Sequence, residues 1–195
     1  RMVVDIGGGT TEIAVISLGG IVINKSLRTA GDEFDEAVIT FARMRHGIVI
    51  GESTAEQTKI AIGSAYPFEE KVDKKHAEHF VIRGRDVESG LPKSVKVHSV
   101  ELREALAPVV QQILSAITET LEETPPELVS DIMRSGIVLA GGSSQLRGLE
   151  KRVNEETTMP VWTTPEPDLA VVRGCAAVLD RPALLKRTQV VGGMR

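Results

Sequence analysis

The sequence holds a single cysteine, Cys175. That excludes an internal disulfide and any metal site built from several thiolates, and it fits a reducing cytosol. Cys175 lies among small residues of a predicted helix, so buried packing is the more economical reading than catalysis. No apolar run approaches the roughly 20 residues of a membrane-spanning helix, and none of the given residues reads as a signal peptide. An excess of basic residues is lacking too: the net charge is −4, which favours neither nucleic acid nor an anionic membrane. Neither a G-x-G-x-x-G nor a G-K-[ST] occurs anywhere. What remains, 42% hydrophobic and 26% charged residues over 195 positions, is the composition of a globular protein with one or two domains.

The stretch that organises the chain is Asp5-Ile6-Gly7-Gly8-Gly9-Thr10-Thr11-Glu12. Met2-Val3-Val4 before it reads as the end of a buried strand. Consecutive glycines let backbone N–H groups approach a ligand with no Cβ in the way. Thr10 and Thr11 add hydroxyls, and Asp5 adds a carboxylate. This set suits a nucleotide phosphate with magnesium, an ion that takes oxygen ligands and keeps several waters. A Rossmann or P-loop turn would have to open a helix. Here the next residues, Glu12 to Leu18, are rich in β-branched side chains, Gly19-Gly20 is a hairpin signal, and Ile21 to Asn24 reads as the returning strand. The glycines therefore join two strands. A glycine-rich hairpin without a ligand is the bland alternative.

Further on, Gly31-Asp32 starts a helix with Asp32 as N-cap, Phe34, Val38 and Phe41 on one face, and Gly47 at its end. Asp32 and Asp35 form either a carboxylate pair or, more cheaply, a cap and a first-turn acid. Ser53-Thr54-Ala55-Glu56 reads as a capping box opening a second helix towards Ala65. Glu69 to Lys75 is expected to be a solvated loop. His76 and His79 have a spacing that suggests metal, but no cysteine or third histidine supports it. Phe80-Val81-Ile82 and Val95-Lys96-Val97 read as short strands, with Gly84 and Gly90-Leu91-Pro92 marking the turn between them.

Leu102, Leu106, Val109, Val110, Ile113, Ile117 and Leu121 form a long apolar stripe, which Pro108 is expected to divide into two helices. A short helix follows over residues 127–133. The second informative stretch runs from Gly136 through Leu139, Gly141, Gly142, Ser143 and Ser144 to Leu146. A buried strand enters two glycines and then a helix, so bare amides and a helix N-terminus face whatever lies above the strand. Ser143 either contacts that ligand or caps the helix. Near the end, Pro160 to Thr163 is a strand, and Asp168 caps a last helix whose small residues permit close packing on the sheet. The tail from Arg181 is expected to fray.

The octapeptide around Gly7–Gly9 resembles the second phosphate motif of the actin, sugar-kinase and DnaK-type chaperone superfamily. The run from Met2 to Gly20 is most similar to the MreB family of bacterial actins, and the similarity extends to about Leu185. The resemblance implies an α/β fold, an actin-like ATPase (ribonuclease H-like) lobe with a mixed sheet and helices on both faces. Residues 1–52 and 100–185 would form a lobe like subdomain IIA, and residues 53–99 a small α+β insertion like subdomain IIB, followed by a tail over 186–195. It further implies ATP and magnesium as cofactors. Asp5 would act on the ion through water, the amides of Gly7, Gly8 and Gly9 on the phosphates, and Thr10 on the hydrolytic water. Glu56 would reach the ribose and Lys59 the base, with Gln57 and Thr58 beside them. Gly141, Gly142, Ser143 and Ser144 would form the adenosine floor. The family usually has arginine where Gln57 stands and commonly a third glycine where Ser143 stands.

Arg1 opens inside a strand, which reads as an internal boundary, and the resemblance is to the C-terminal half of the family's protein. The expected partners are therefore an N-terminal lobe, further copies in a filament, and cell-shape and cell-wall synthesis proteins. Neither nucleic acid nor membrane contact is expected from this half. Three classes compete: a lobe of a filament-forming ATPase that maintains rod shape, a non-catalytic fragment that binds or caps such filaments, and another enzyme of the superfamily such as a sugar kinase. The order of elements disfavours the last.

Overall fold

The computed structural model describes residues Arg1–Pro67 and His79–Leu184. The expected loop from Glu69 to Lys75, His76 and most of the terminal tail lie outside them. The elements, in order, are strands β1 (Met2–Ile6), β2 (Thr11–Ser17) and β3 (Gly20–Leu27), helix α1 (Gly31–His46), β4 (Ile48–Val49), α2 (Glu52–Ile62), β5 (His79–Asp86) and β6 (Pro92–His98). They continue with α3 (Ser99–Glu123), α4 (Pro126–Ser135), β7 (Ile137–Ala140), α5 (Leu149–Thr157), β8 (Val161–Thr163) and α6 (Ala170–Asp180).

The chain divides into two compact units. One comprises Arg1–Gly31, Gln112–Gln145 and the chain from Glu150 on; the other comprises Asp32–Gln111 with Leu146–Leu149. The first unit holds a mixed sheet in the order β3-β2-β1-β7-β8. β1 pairs antiparallel with β2 and parallel with β7. Its side chains alternate, and Met2, Val4 and Ile6 are fully buried, as a period of two requires of a strand against a core. On the sheet's outer strand Lys25 pairs with Glu119 and Glu123 of α3, at 2.9 and 3.2 Å. The second unit holds the antiparallel sheet β4-β5-β6. There Lys93 Nζ donates to the His46 carbonyl at the end of α1 and to Asp86 Oδ2, at 2.9 and 2.7 Å. That contact, with the Ser89 bonds, holds the Asp86 carboxyl well below the usual carboxylate range.

Several local expectations shift. The first hairpin turns at Leu18-Gly19 rather than Gly19-Gly20, with φ of 51° and 78°, so both central residues adopt the left-handed region that a tight two-residue turn demands. Asp32 lies inside α1, which starts at Gly31, and caps nothing from outside. The capping box is not formed. Gly51 is the N-cap of α2 with no side-chain bond, its carbonyl accepting from Thr54 and Ala55, while Ser53 Oγ accepts from Gln57. Gly84 belongs to β5 rather than to the turn. Asp168 sits in a 3-10 turn before α6 and makes no capping bond. α6 has no buried residue, and Cys175 is exposed rather than packed.

The largest departure is α3, a single helix of 25 residues that runs straight through Pro108. Proline withholds one helical hydrogen bond and costs roughly 3 kcal/mol in a helix interior. Against that, Leu102, Leu106, Ile113, Leu114 and Ile117 on either side are all fully buried, each worth roughly 1.5–3 kcal/mol. Burial on both sides wins, and Pro108 itself is exposed, so water reaches the freed carbonyl. Pro108→Ala should therefore restore a bond and stabilise the protein by about 1–2 kcal/mol, after allowance for the looser unfolded chain. Thermal unfolding checks this; a lower midpoint would mean the ring is needed where it is.

Candidate functional site

The site begins where β1 ends. Parallel pairing sets Asp5 opposite Ala140, so the glycines after β1 and those after β7 leave the sheet at the same end. In open α/β sheets ligands bind beyond the carboxyl ends of strands, where the strand order switches. The strands run outward from β1 through β2 to β3 on one side and from β7 to β8 on the other, so the order switches between β1 and β7.

The first turn is tight. Gly7 N–H donates to the Thr10 carbonyl at 2.9 Å, and the Gly7 carbonyl accepts from Gly31 N–H at 3.1 Å. Gly8, Gly9 and Thr10 are exposed. Thr11, expected to offer its hydroxyl, instead starts β2 fully buried and donates to the Thr29 carbonyl at 2.7 Å. Its role is to hold the turn, and Thr10 is the hydroxyl left facing solvent.

Asp5 lies between these strands, part buried. Burial first, and then the neighbouring charge of Glu12, push its carboxyl above the ordinary value. No cation pairs with it among the described residues. A half-buried carboxylate with a like charge beside it and no counter-ion is the donor that a hydrated divalent cation satisfies.

The second turn departs from expectation. Gly141 and Gly142 lead into a 3-10 turn, Gly142–Gln145, and α5 starts only at Leu149. Ser144 explains this: buried, it sends both its N–H and its hydroxyl to the Gly141 carbonyl, at 3.2 and 2.7 Å. A side chain competing for a helix's first carbonyl tightens the turn. Gly141 has φ of 82°, and a Cβ there would collide with the Ile6 carbonyl, so only glycine lets this turn lie against the first. Ser143 is no cap; its hydroxyl donates to the Gly7 carbonyl at 2.8 Å.

Glu56, Gln57, Thr58 and Lys59 lie on α2 in the second unit. Glu56 and Gln57 are exposed; Thr58 is buried and donates to the Thr54 carbonyl at 2.6 Å. Lys59 forms an ion pair with Asp35 at 2.9 Å, with side-chain exposures of only 13% and 17%. Desolvation still raises the Asp35 carboxyl, against the pull of Lys59. Asp35 is thus the partner of Lys59 rather than half of a carboxylate pair. Thr29, Gly31 and the Ser143 contact escaped sequence reasoning, because each matters only through residues far away in the chain. Among the described residues no group of three or more His, Cys, Asp or Glu gathers at metal-binding distance, and none of the helices is long and apolar enough to cross a membrane.

The MreB/Mbl protein family model matches residues 1–187. The chain belongs to the MreB/Mbl family. It is 46% identical over 179 residues to the cell shape-determining protein MreB of Escherichia coli K12, covering 92% of this chain and 50% of that protein. To the cell shape-determining protein Mbl of Bacillus subtilis it is 44% identical over 180 residues, covering 92% of this chain and 52% of Mbl. Among solved structures, MreB5 of Spiroplasma citri bound to ADP superposes with a TM-score of 0.87 at 35% identity, over 95% of this chain and 54% of that one. The actin-like fold is thereby shown. The chain spans about half the length of the family members it matches.

Two outcomes follow. Because the Asp5 carboxyl is raised, its ionised form disfavours the fold: the contribution of Asp5 to stability is greatest below pH of about 4 and is lost as pH rises through the raised value. Asp5→Asn should therefore raise the thermal midpoint at pH 7 and flatten that part of the pH profile; an unchanged profile would show the charge to be fully compensated. Lys59→Ala strands Asp35 and should cost roughly 2–3 kcal/mol, less than a wholly buried pair because both groups keep some solvent contact. Adding Asp35→Asn should recover part of that loss in denaturant titrations.

Proposed function

We propose that this chain is the C-terminal, nucleotide-binding half of an MreB-type cytoskeletal ATPase, which forms filaments and maintains rod cell shape. One observation carries the reading: parallel pairing of β1 with β7 brings an exposed glycine loop and a second glycine turn together at one sheet end. MreB5 of Spiroplasma citri, 35% identical, was crystallised with ADP and with AMPPNP, which supports ATP as the ligand.

In this reading Gly7, Gly8 and Gly9 give amides to the phosphates, and Asp5 holds magnesium through water. Thr10 orients the attacking water. Gly141 and Gly142 lie under the adenosine, with Ser144 bracing that turn through the Gly141 carbonyl. On α2 the exposed Glu56 and Gln57 are the residues offered to ribose and base, since Thr58 is buried and Lys59 is engaged by Asp35. The free Asp5 carboxylate and the exposed Gly8–Thr10 segment fit those ligands. Bound magnesium would supply charge neutralisation for the transferring phosphoryl group. The partners are an N-terminal lobe, further copies of the protein in the filament, and proteins of cell shape and wall synthesis. The setting is the cytoplasm, at the inner face of the membrane through the complete protein.

Phosphoryl transfer needs positioning and charge stabilisation from several sides at once, so the 195-residue chain by itself should hydrolyse ATP negligibly. Joined to an N-terminal lobe from a family member, it should turn over. In that protein Thr10→Ala should slow hydrolysis by a factor on the order of 10²–10³ and spare nucleotide binding. Gly8→Val should abolish both, and Asp5→Ala should weaken magnesium-dependent binding. If all three variants bind and hydrolyse like the parent, the loop is a structural hairpin and the reading fails.

A further inference from the structure

The Gly7 carbonyl receives two hydrogen bonds, from Gly31 N–H at 3.1 Å and from Ser143 Oγ at 2.8 Å. A carbonyl oxygen has two lone pairs, and both are engaged. The peptide that carries this oxygen also carries the Gly8 N–H. In a planar trans peptide the two groups point in opposite directions, and no cis bond occurs among the described residues. Tethering the oxygen on one side therefore aims the Gly8 N–H to the other. Gly8 is exposed, and its N–H has no partner among the described residues. Gly7 N–H, bonded to the Thr10 carbonyl at 2.9 Å, holds the loop from the opposite flank.

Glycine would otherwise leave this peptide free to flip, since both of its neighbours tolerate either sign of φ. Gly31 is required by the same arrangement: a Cβ there would stand 2.7 Å from Ser143 Oγ and 3.2 Å from the carbonyl oxygens of Gly7 and Gly8. The hydroxyl has one proton, and that proton is spent on Gly7 rather than on a nucleoside.

We infer that Ser143 is a positioning residue for phosphate: its hydroxyl, together with the Gly31 amide, locks the Gly7–Gly8 peptide so that the Gly8 N–H is presented outward to a phosphoryl oxygen. Ser143 thus acts through the loop and not by touching the base or ribose. The inference rests on the nucleotide reading above and adds the part of the ligand that Ser143 serves.

The test compares the full chain with Ser143→Ala and with Ser143→Thr, which keeps the hydroxyl. Each is titrated calorimetrically with ADP and with adenosine, and amide NMR spectra are recorded without ligand. Loss of one hydrogen bond to an oriented donor should weaken ADP roughly 5–10-fold in Ser143→Ala, change adenosine less than about twofold, and move the Gly8 amide resonance in the free protein. Ser143→Thr should stay near the parent. Unchanged ADP affinity, equal losses for ADP and adenosine, or an equal loss in Ser143→Thr would each overturn the assignment. A parent chain that binds adenosine but gains nothing from the diphosphate would overturn the phosphate reading instead. The Gly8 resonance still reports separately whether Ser143 orients the peptide.

Discussion

Everything at the candidate site depends on the parallel pairing of β1 with β7. Met2 to Asp5 run beside Ile137 to Ala140, and the pairing joins segments more than a hundred residues apart in sequence. Because both strands run the same way, both of their glycine turns emerge at one end. An antiparallel pairing would have put them at opposite ends of the sheet. A parallel neighbour also demands a long connection, and the whole chain from β2 to α4 supplies it, including the second compact unit.

Given that pairing, the chemistry becomes a matter of crowding. Gly141 runs against the Ile6 carbonyl and Gly31 against the carbonyls of Gly7 and Gly8, so backbone meets backbone where side chains would ordinarily intervene. Polar groups brought that close have to be satisfied. Gly31, Ser143 and Ser144 do this with direct hydrogen bonds, and Thr11 and Thr29 continue the network outwards to the Gln112 side chain of α3. Asp5 is the group left with an unfavourable charge.

What could be read from the sequence was what is local. The strand–glycine–strand pattern from Met2 to Asn24, the strands over residues 80–82 and 95–97, and the strand entering Gly141 all rest on neighbours a few positions apart. Misreadings arose mainly where a distant contact decided the outcome, the capping box being a local exception. Pro108 looks like a helix boundary until burial along both sides of it is known. Ser53 to Glu56 looks like a capping box until Gly51 is seen to start the helix. The small residues of α6 look made for packing, yet none of them is buried. Ser143 was the hardest case, since its partner Gly7 lies 136 residues away. No spacing rule links such a pair.

Lys25 on the outer strand of the first sheet has a wider consequence. An edge strand carries a row of open backbone donors and acceptors that invites another strand to add. β3 is such an edge, but Lys25 ties it to Glu119 and Glu123. A strand arriving there would have to strip water and counter-charge from an ammonium held by two carboxylates. The opposite edge, β8, is only three residues long, too short to template a stable ladder. The sheet is thus guarded against self-templated aggregation at both rims, by charge on one and by brevity on the other.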